Sequence, residues 1–289
     1  MRISGAPAFA LVVLVFAAGC ANTPAGDTYR VDSDGNLVIT LVQESAWEGT
    51  VLNRTDNITL SRVVFSNGGT PVTSYVAAPP HPRAGIVYIP GANEPVTGHA
   101  ERFREYATAG FAFLYLDVRG DGFETPGDRF DLASEYRLFR NREWPQYYRV
   151  VADAMRARVH LEREYGISSV WIVGSSNGGR YAAIAAATDP SFSGYVGIST
   201  SGFSIGGGDA DLRRFTSSID PAARIGSISP RAVLIYHSES DPIIPFGDGR
   251  ALYEAAKEPK TFVTFAGSHG IDPMSDRDLI GRLTQIYGS

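Results

Sequence analysis

Val170-Trp171-Ile172-Val173-Gly174-Ser175-Ser176-Asn177-Gly178-Gly179-Arg180 is the stretch from which the fold can be read. Its first four residues are a short continuous apolar run, the form taken by a strand buried on both faces. The alanine-rich residues from Arg180 to Ala187 predict a helix. Gly174-Ser175-Ser176-Asn177-Gly178 must turn the first into the second. A turn that sharp holds its apex residue in a strained conformation and brings strand and helix close enough for side chains two positions either side of the apex to collide. Glycine at 174 and 178 removes those collisions. The pattern places the Ser176 hydroxyl at the carboxyl edge of a sheet, with a helix amino terminus behind it whose partial positive charge favours an anion.

Gly-x-Ser-x-Gly alone is a weak pattern, equally compatible with a flexible turn. Its surroundings select between the two. From Gly85 onward strand and helix alternate. Strands are predicted at Ile86–Ile89, Ala112–Leu116, Val170–Val173, Tyr195–Ser199, Ala232–Tyr236 and Thr261–Phe265, and helices near Gly98–Ala109, Gln146–Tyr165, Gly179–Ala187, Gly249–Lys257 and Met274–Tyr287. Such alternation predicts an α/β fold, a mostly parallel central sheet with helices on both faces. Before it, Tyr29–Val42 and Thr59–Ala78 alternate apolar and polar residues and are broken at Asn67-Gly68-Gly69, which predicts antiparallel strands at the sheet edge.

With the elbow and the alternation in place, the chain from about Thr59 to its end resembles an α/β-hydrolase. In that family nucleophile, acid and base follow in the order serine, aspartate or glutamate, histidine. The resemblance implies Ser176 as nucleophile and Asp241, in His237-Ser238-Glu239-Ser240-Asp241-Pro242-Ile243-Ile244-Pro245, as acid, with Glu239 and Asp248 as competitors. It implies His269 as base, the one histidine of five downstream of Asp241. A serine hydroxyl needs an imidazole to take its proton and return it to the leaving group, and a carboxylate to fix the imidazole tautomer. Oxyanion donors are expected at the backbone N–H of Asn177 and, in the Pro90-Gly91-Ala92-Asn93 loop, at Ala92, with Asn93 as the other candidate. That loop is similar to the family's His-Gly-x loop with proline in the histidine place. Asp117 and Arg119 are expected to be structural, His99 and His237 to lie near the pocket mouth, and His81 and His160 to be surface residues.

The first nineteen residues carry Arg2 and an apolar run that ends at Cys20, the sole cysteine. They predict a signal peptide, and Ala17-Ala18-Gly19-Cys20 resembles the site at which lipoproteins are cleaved and acylated on cysteine. The expectation is an exported, lipid-anchored protein at the outer face of the cell membrane, with 20–27 as tether and secretion in soluble form as the alternative. Residues 28–289 are expected to be a single domain with a small cap around 202–230, in which Phe203, Ile205, Leu212, Phe215 and Ile219 either line a pocket or pack the cap. A net charge of -5 argues against a nucleic-acid partner. The arginines between 137 and 163 are interleaved with acids and read as a solvated helix surface. No ligand spacing or cofactor fingerprint is present, so neither metal nor cofactor is expected. The reading that follows is a serine hydrolase of small carboxylic esters. A peptidase or amidase of the same fold, and a non-catalytic lipid-anchored binding protein, are the alternatives.

Overall fold

A computed structural model describes residues 26–42, 46–55, 57–203 and 205–287. The expected signal peptide and Cys20 lie outside these residues, as does the tether up to residue 25. The strands are β1 (Thr28–Val31), β2 (Leu37–Thr40), β3 (Trp47–Arg54), β4 (Thr59–Asn67), β5 (Thr70–Ala78), β6 (Ala84–Ile89), β7 (Phe111–Leu116), β8 (Val170–Ser175), β9 (Gly194–Ile198), β10 (Ala232–Ser238) and β11 (Lys260–Phe265). The helices are α1 (Ala100–Thr108), α2 (Leu132–Arg140), α3 (Gln146–Tyr165), α4 (Asn177–Thr188), α5 (Ala210–Ile219), α6 (Pro221–Arg224), α7 (Phe246–Ala255) and α8 (Pro273–Tyr287). Nine strands form one sheet in the order β11-β10-β9-β8-β6-β7-β5-β4-β3. The six from β7 to β11 and β6 run parallel, while β5, β4 and β3 extend the sheet antiparallel.

Side-chain alternation divides the core in two. Ile86 and Tyr88 of β6, Phe113 and Tyr115 of β7, and Trp171 and Val173 of β8 pack with Phe103 and Tyr106 of α1 and Leu279 and Leu283 of α8. Their neighbours Val87, Ile89, Leu114, Val170 and Ile172 face the other way, onto α3 and α4. Strands buried on both faces carry apolar residues at every position, which is why they were legible as continuous runs. After β6 the chain steps to β7 on one side and later to β8 on the other. The carboxyl ends of β6 and β8 therefore flank a topological switch, where parallel sheets open a crevice.

Three expectations are corrected. Residues 29–42 do not join the main sheet: β1 and β2 pair only with each other, and Leu37 and Ile39 are buried in the α3–α4 core. The edge position belongs to β3, whose residues are almost all exposed and carry no apolar alternation to reveal it. Several arginines of α3 are not solvated. Arg156 is buried against Asp27, and Arg158 pairs with Asp189 at 2.8 Å and with Glu162 at 2.5 Å. His160 is stacked on Trp47, with ring centroids 4.0 Å apart, instead of lying free on the surface. Asp117 and Arg119 have structural contacts. Asp117 accepts the N–H groups of Phe123, Glu124 and Thr125, and Arg119 is buried against Asp153 at 2.5 Å.

Burial pushes the His160 imidazole down to about 4. Because its folded value is lowered, the unfolded chain binds a proton that the native state refuses between about pH 6.5 and 4, so stability is lost as the pH drops through that window. Replacing His160 by Phe should keep the stack and flatten urea-unfolding stability between pH 6.5 and 4, recovering on the order of 2 kcal/mol at the acid end.

Candidate active site

β8 ends at Ser175 and α4 begins at Asn177, leaving Ser176 alone at the apex with φ 53° and ψ −121°. Only close backbone packing can hold a serine in that region. The packing is visible at both glycines: a Cβ on Gly174 would lie 2.4 Å from the Gly178 carbonyl oxygen, and one on Gly178 would lie 2.2 Å from the carbonyl oxygens of Ile89 and Pro90. Two further bonds fix the apex. Ser176 N–H donates to Ile198 O at 2.8 Å, and the Thr200 hydroxyl donates to Ser176 O at 2.8 Å. Ser176 is half-buried, and its hydroxyl bonds to no protein group among the described residues.

Asp241 and His269 are brought together. Nδ1 of His269 lies 3.0 and 2.9 Å from the two Asp241 oxygens. Nδ1 is thereby the protonated nitrogen, and Nε2 is left to accept. The Asp241 side chain is fully buried, whereas the His269 side chain is 21% exposed. Burial pushes the Asp241 carboxyl up. The N–H groups of Ile244 and Ile243 and the His269 ring outweigh it and hold the group below its ordinary value. The competitors Glu239 and Asp248 are exposed. No bond joins His269 Nε2 to Ser176 Oγ, yet both loops are tied to the same three residues at the end of β9, Ile198 to Thr200. Ser176 is bonded to Ile198 and Thr200, and Gly270 to Ser199, with Gly270 N–H donating to Ser199 Oγ at 3.1 Å and Ser199 Oγ to Gly270 O at 3.0 Å.

His237 is not at the pocket mouth. It is fully buried beneath Asp241, its Nε2–H donating to Ile244 O at 3.0 Å and lying 3.7 Å from Asp241 Oδ2. Its Nδ1 has no hydrogen-bond partner among the described residues and faces Gly249, where a Cβ would come within 2.2 Å. The ring thus presents the positive end of its dipole to the acid's turn. His99, by contrast, lines a cavity together with His269, its side chain largely buried beside Glu94 and Arg102.

The Pro90–Asn93 loop abuts the nucleophile. A Cβ on Gly91 would lie 3.1 Å from Ser176 Cβ. Asn93, with φ 61°, directs its N–H to Asp121 O at 3.4 Å, and Glu94 N–H closes the turn on Gly91 O at 3.3 Å. The Ala92 N–H has no acceptor among the described residues, which makes it the freer donor of the Ala92 and Asn93 pair. Asn177 opens α4, where N–H groups lack intrahelical partners, and its side chain donates to Asp121 Oδ2 at 2.7 Å. Burial raises the Asp121 carboxyl, moderated by that bond.

Asp121, Ser199 and Glu94 organise the site, and none of them was foreseen from sequence. The Glu94 carboxylate accepts from Ser175 Oγ at 3.1 Å and Tyr88 OH at 3.2 Å, while its carbonyl accepts from Tyr115 OH at 2.5 Å. No local motif marks such residues; only the fold assembles their partners. In the cap segment Phe215 and Ile219 are core, Phe203 stacks on Phe130, and Leu212 is half-buried. Among the described residues no group of three or more His, Cys, Asp or Glu is placed to hold a metal, and no helix is long and apolar enough to cross a membrane.

Acetyl xylan esterase 1 from Thermoanaerobacterium sp. JW/SL YS485 superposes with a TM-score of 0.69 at 14% identity, over 85% of this chain and 89% of that one. Acetyl xylan esterase from Paenibacillus sp. R4 gives a TM-score of 0.69 at 18% identity, over 85% and 90%. The chain has the α/β-hydrolase fold. Residues 80–216 match the family model described as serine aminopeptidase, S33, a span that includes Ser176 but not Asp241 or His269. The uncharacterized protein YfhR of Escherichia coli (strain K12) is 40% identical over 53 residues, which are 18% of this chain and 19% of the relative. The alignment thus spans about a fifth of that relative's length.

Gly178→Ala should cost more than about 3 kcal/mol in urea unfolding, because both facing atoms are backbone oxygens that cannot yield. Gly281→Ala, in α8 with nothing within 4 Å of its Cβ, should instead stabilise by roughly 0.5–1 kcal/mol.

Proposed function

We propose that this protein of α/β-hydrolase fold cleaves carboxylic esters through an acyl-enzyme. The observation that carries the reading is the Asp241–His269 pair, tied through Ile198–Thr200 to a strained, half-buried Ser176. His269 Nε2 would accept the Ser176 proton as Oγ attacks the ester carbonyl, and the Asp241 carboxylate would stabilise the resulting imidazolium. The N–H groups of Asn177 and Ala92 would receive the oxyanion. The bond from Nε2 to Oγ, absent at rest, would form as substrate orders the site. The solved structures of similar fold described as acetyl xylan esterases favour an ester over an amide.

The family description as serine aminopeptidase favours a second reading, amide cleavage by the same groups. Rapid turnover of a matched anilide beside negligible ester turnover would reverse the ranking. For the ester reading, Ser176→Ala and Asp241→Asn should each lower kcat by about 10⁴ with thermal melting nearly unchanged, measured as acid released from a short-chain ester. Wild-type-like turnover in Ser176→Ala would refute it.

The place of action belongs to the same proposal. The apolar leader ending at Cys20 supports export and lipid anchoring at the outer face of the cell membrane. Cys20→Ser should move the protein from the membrane fraction to the soluble one; retention in the membrane would contradict the anchor.

A further inference from the structure

We propose that the cavity between His99 and His269 receives the leaving alcohol of the ester and selects a neutral, hydroxylated one. This rests on the esterase reading above and adds the class of alcohol. When the acyl-enzyme forms, the bond between the acyl carbon and the alcohol oxygen breaks and its electron pair stays on that oxygen. The proton taken from Ser176 passes from His269 Nε2 to the same oxygen, so the alcohol departs neutral on the imidazole's side. A cavity of 290 Å³ is lined by His269 and Ser175 on one side and by Glu94, Gly98, His99 and Arg102 on the other. It falls just under the roughly 300 Å³ at which pockets begin to hold drug-sized ligands, which suits a single ring better than a long chain.

The walls give the chemistry. Glu94 accepts two hydrogen bonds, from Ser175 and Tyr88, on a carboxylate with about four acceptor sites. Arg102 spends Nε on Asp276 at 2.7 Å and Nη1 on His99 Nδ1 at 3.4 Å, and its Nη2 hydrogens have no acceptor among the described residues. Acceptor and donor capacity therefore stand together in one cavity, and a hydroxyl group can use both. An aliphatic alcohol of the same size would cover them and replace no hydrogen bond, the kind of mismatch that a polar site rejects strongly. An anionic alcohol finds no surplus cation. Arg102 is paired with Asp276, Glu101 and Glu105 are the other charged walls, and His99, pushed by burial and by the Arg102 charge down to about 4, is neutral at pH 7. Arg104 and Arg277 offset those two glutamates, each at 3.4 Å.

Gly98 supplies the test. It lines the cavity, has no catalytic contact, and a Cβ there meets nothing within 4 Å, so Gly98→Leu can occupy the space without clashing at its Cβ. Three esters share one acyl group: ethyl acetate, cyclohexyl acetate and a monoacetylated hexose. Wild type should prefer the hexose ester to the cyclohexyl ester by about tenfold or more in kcat/KM. Gly98→Leu should lower the hexose value by about tenfold or more while ethyl acetate stays within about threefold, with Gly98→Ala intermediate and melting temperatures alike. A wild type that hydrolyses all three esters without that preference overturns the subsite and leaves the esterase reading standing. So does a Gly98→Leu enzyme that slows ethyl and hexose esters equally, or neither. A wild type that turns over none of them fails as an esterase, and the subsite falls with it.

Discussion

The first turn of α4 lies against the ends of β6 and β8 at a separation that only glycine allows at positions 174 and 178. This backbone-on-backbone contact governs the carboxyl edge of the sheet. It forces Ser176 to a positive φ, and it presses the loop after β6 against the nucleophile, so that the amides of Asn177 and Ala92 come from the two elements in contact. A residue held in such a region stays there only when its surroundings over-determine it. Here they do so through the bonds from Ser176 to Ile198 and Thr200 and through the helix that begins immediately after it.

The acid and base depend on the same edge through different physics. Asp241 is buried, and a buried carboxylate would be costly if unpaired. Three donors meet it instead: the N–H groups of Ile243 and Ile244 and the His269 ring. The buried His237 below holds the Asp241–Ile244 turn through its carbonyl, and the constraint propagates to Gly249, which must lack a side chain for the ring to fit. On the opposite side of the cleft, Glu94, His99, Arg102 and Asp276 form a continuous polar chain from the loop after β6, across α1, to α8. Loops from both sides of the cleft are thus braced on helices. Polar groups packed this densely rigidify a site when they are satisfied.

The parallel strands and the turn at Ser176 were legible because their signals are local: continuous apolar runs, and two glycines at fixed spacing around a serine. Asp241 and His269 were reached through chain order and family resemblance, and the structure joins their side chains. What escaped was non-local. The edge strand β3 has one ladder and no buried face to imprint a period on its sequence. The pair β1 and β2 carries a strand-like alternation, but alternation does not say which sheet a strand joins. His237 and His160 sit in polar-looking stretches, and nothing in the neighbouring residues announces that a ring will be enclosed by Gly249 or stacked on Trp47. Asp121 and Glu94 are single acids in loops, indistinguishable by sequence from solvated ones until their partners arrive from elsewhere in the chain.

In the proposed reaction Ser176, His269 and the amides of Asn177 and Ala92 converge on one reacting carbon. The most direct measurement is a crystal structure of the protein after reaction with a small alkyl phosphonate, whose tetrahedral phosphorus mimics that carbon. The expected structure has phosphorus bonded to Ser176 Oγ, its oxygen within about 3 Å of the Asn177 and Ala92 amide nitrogens, and His269 Nε2 turned toward the adduct while Nδ1 stays on Asp241. An adduct on another side chain, or one on Ser176 whose oxygen points away from both amides, would contradict it.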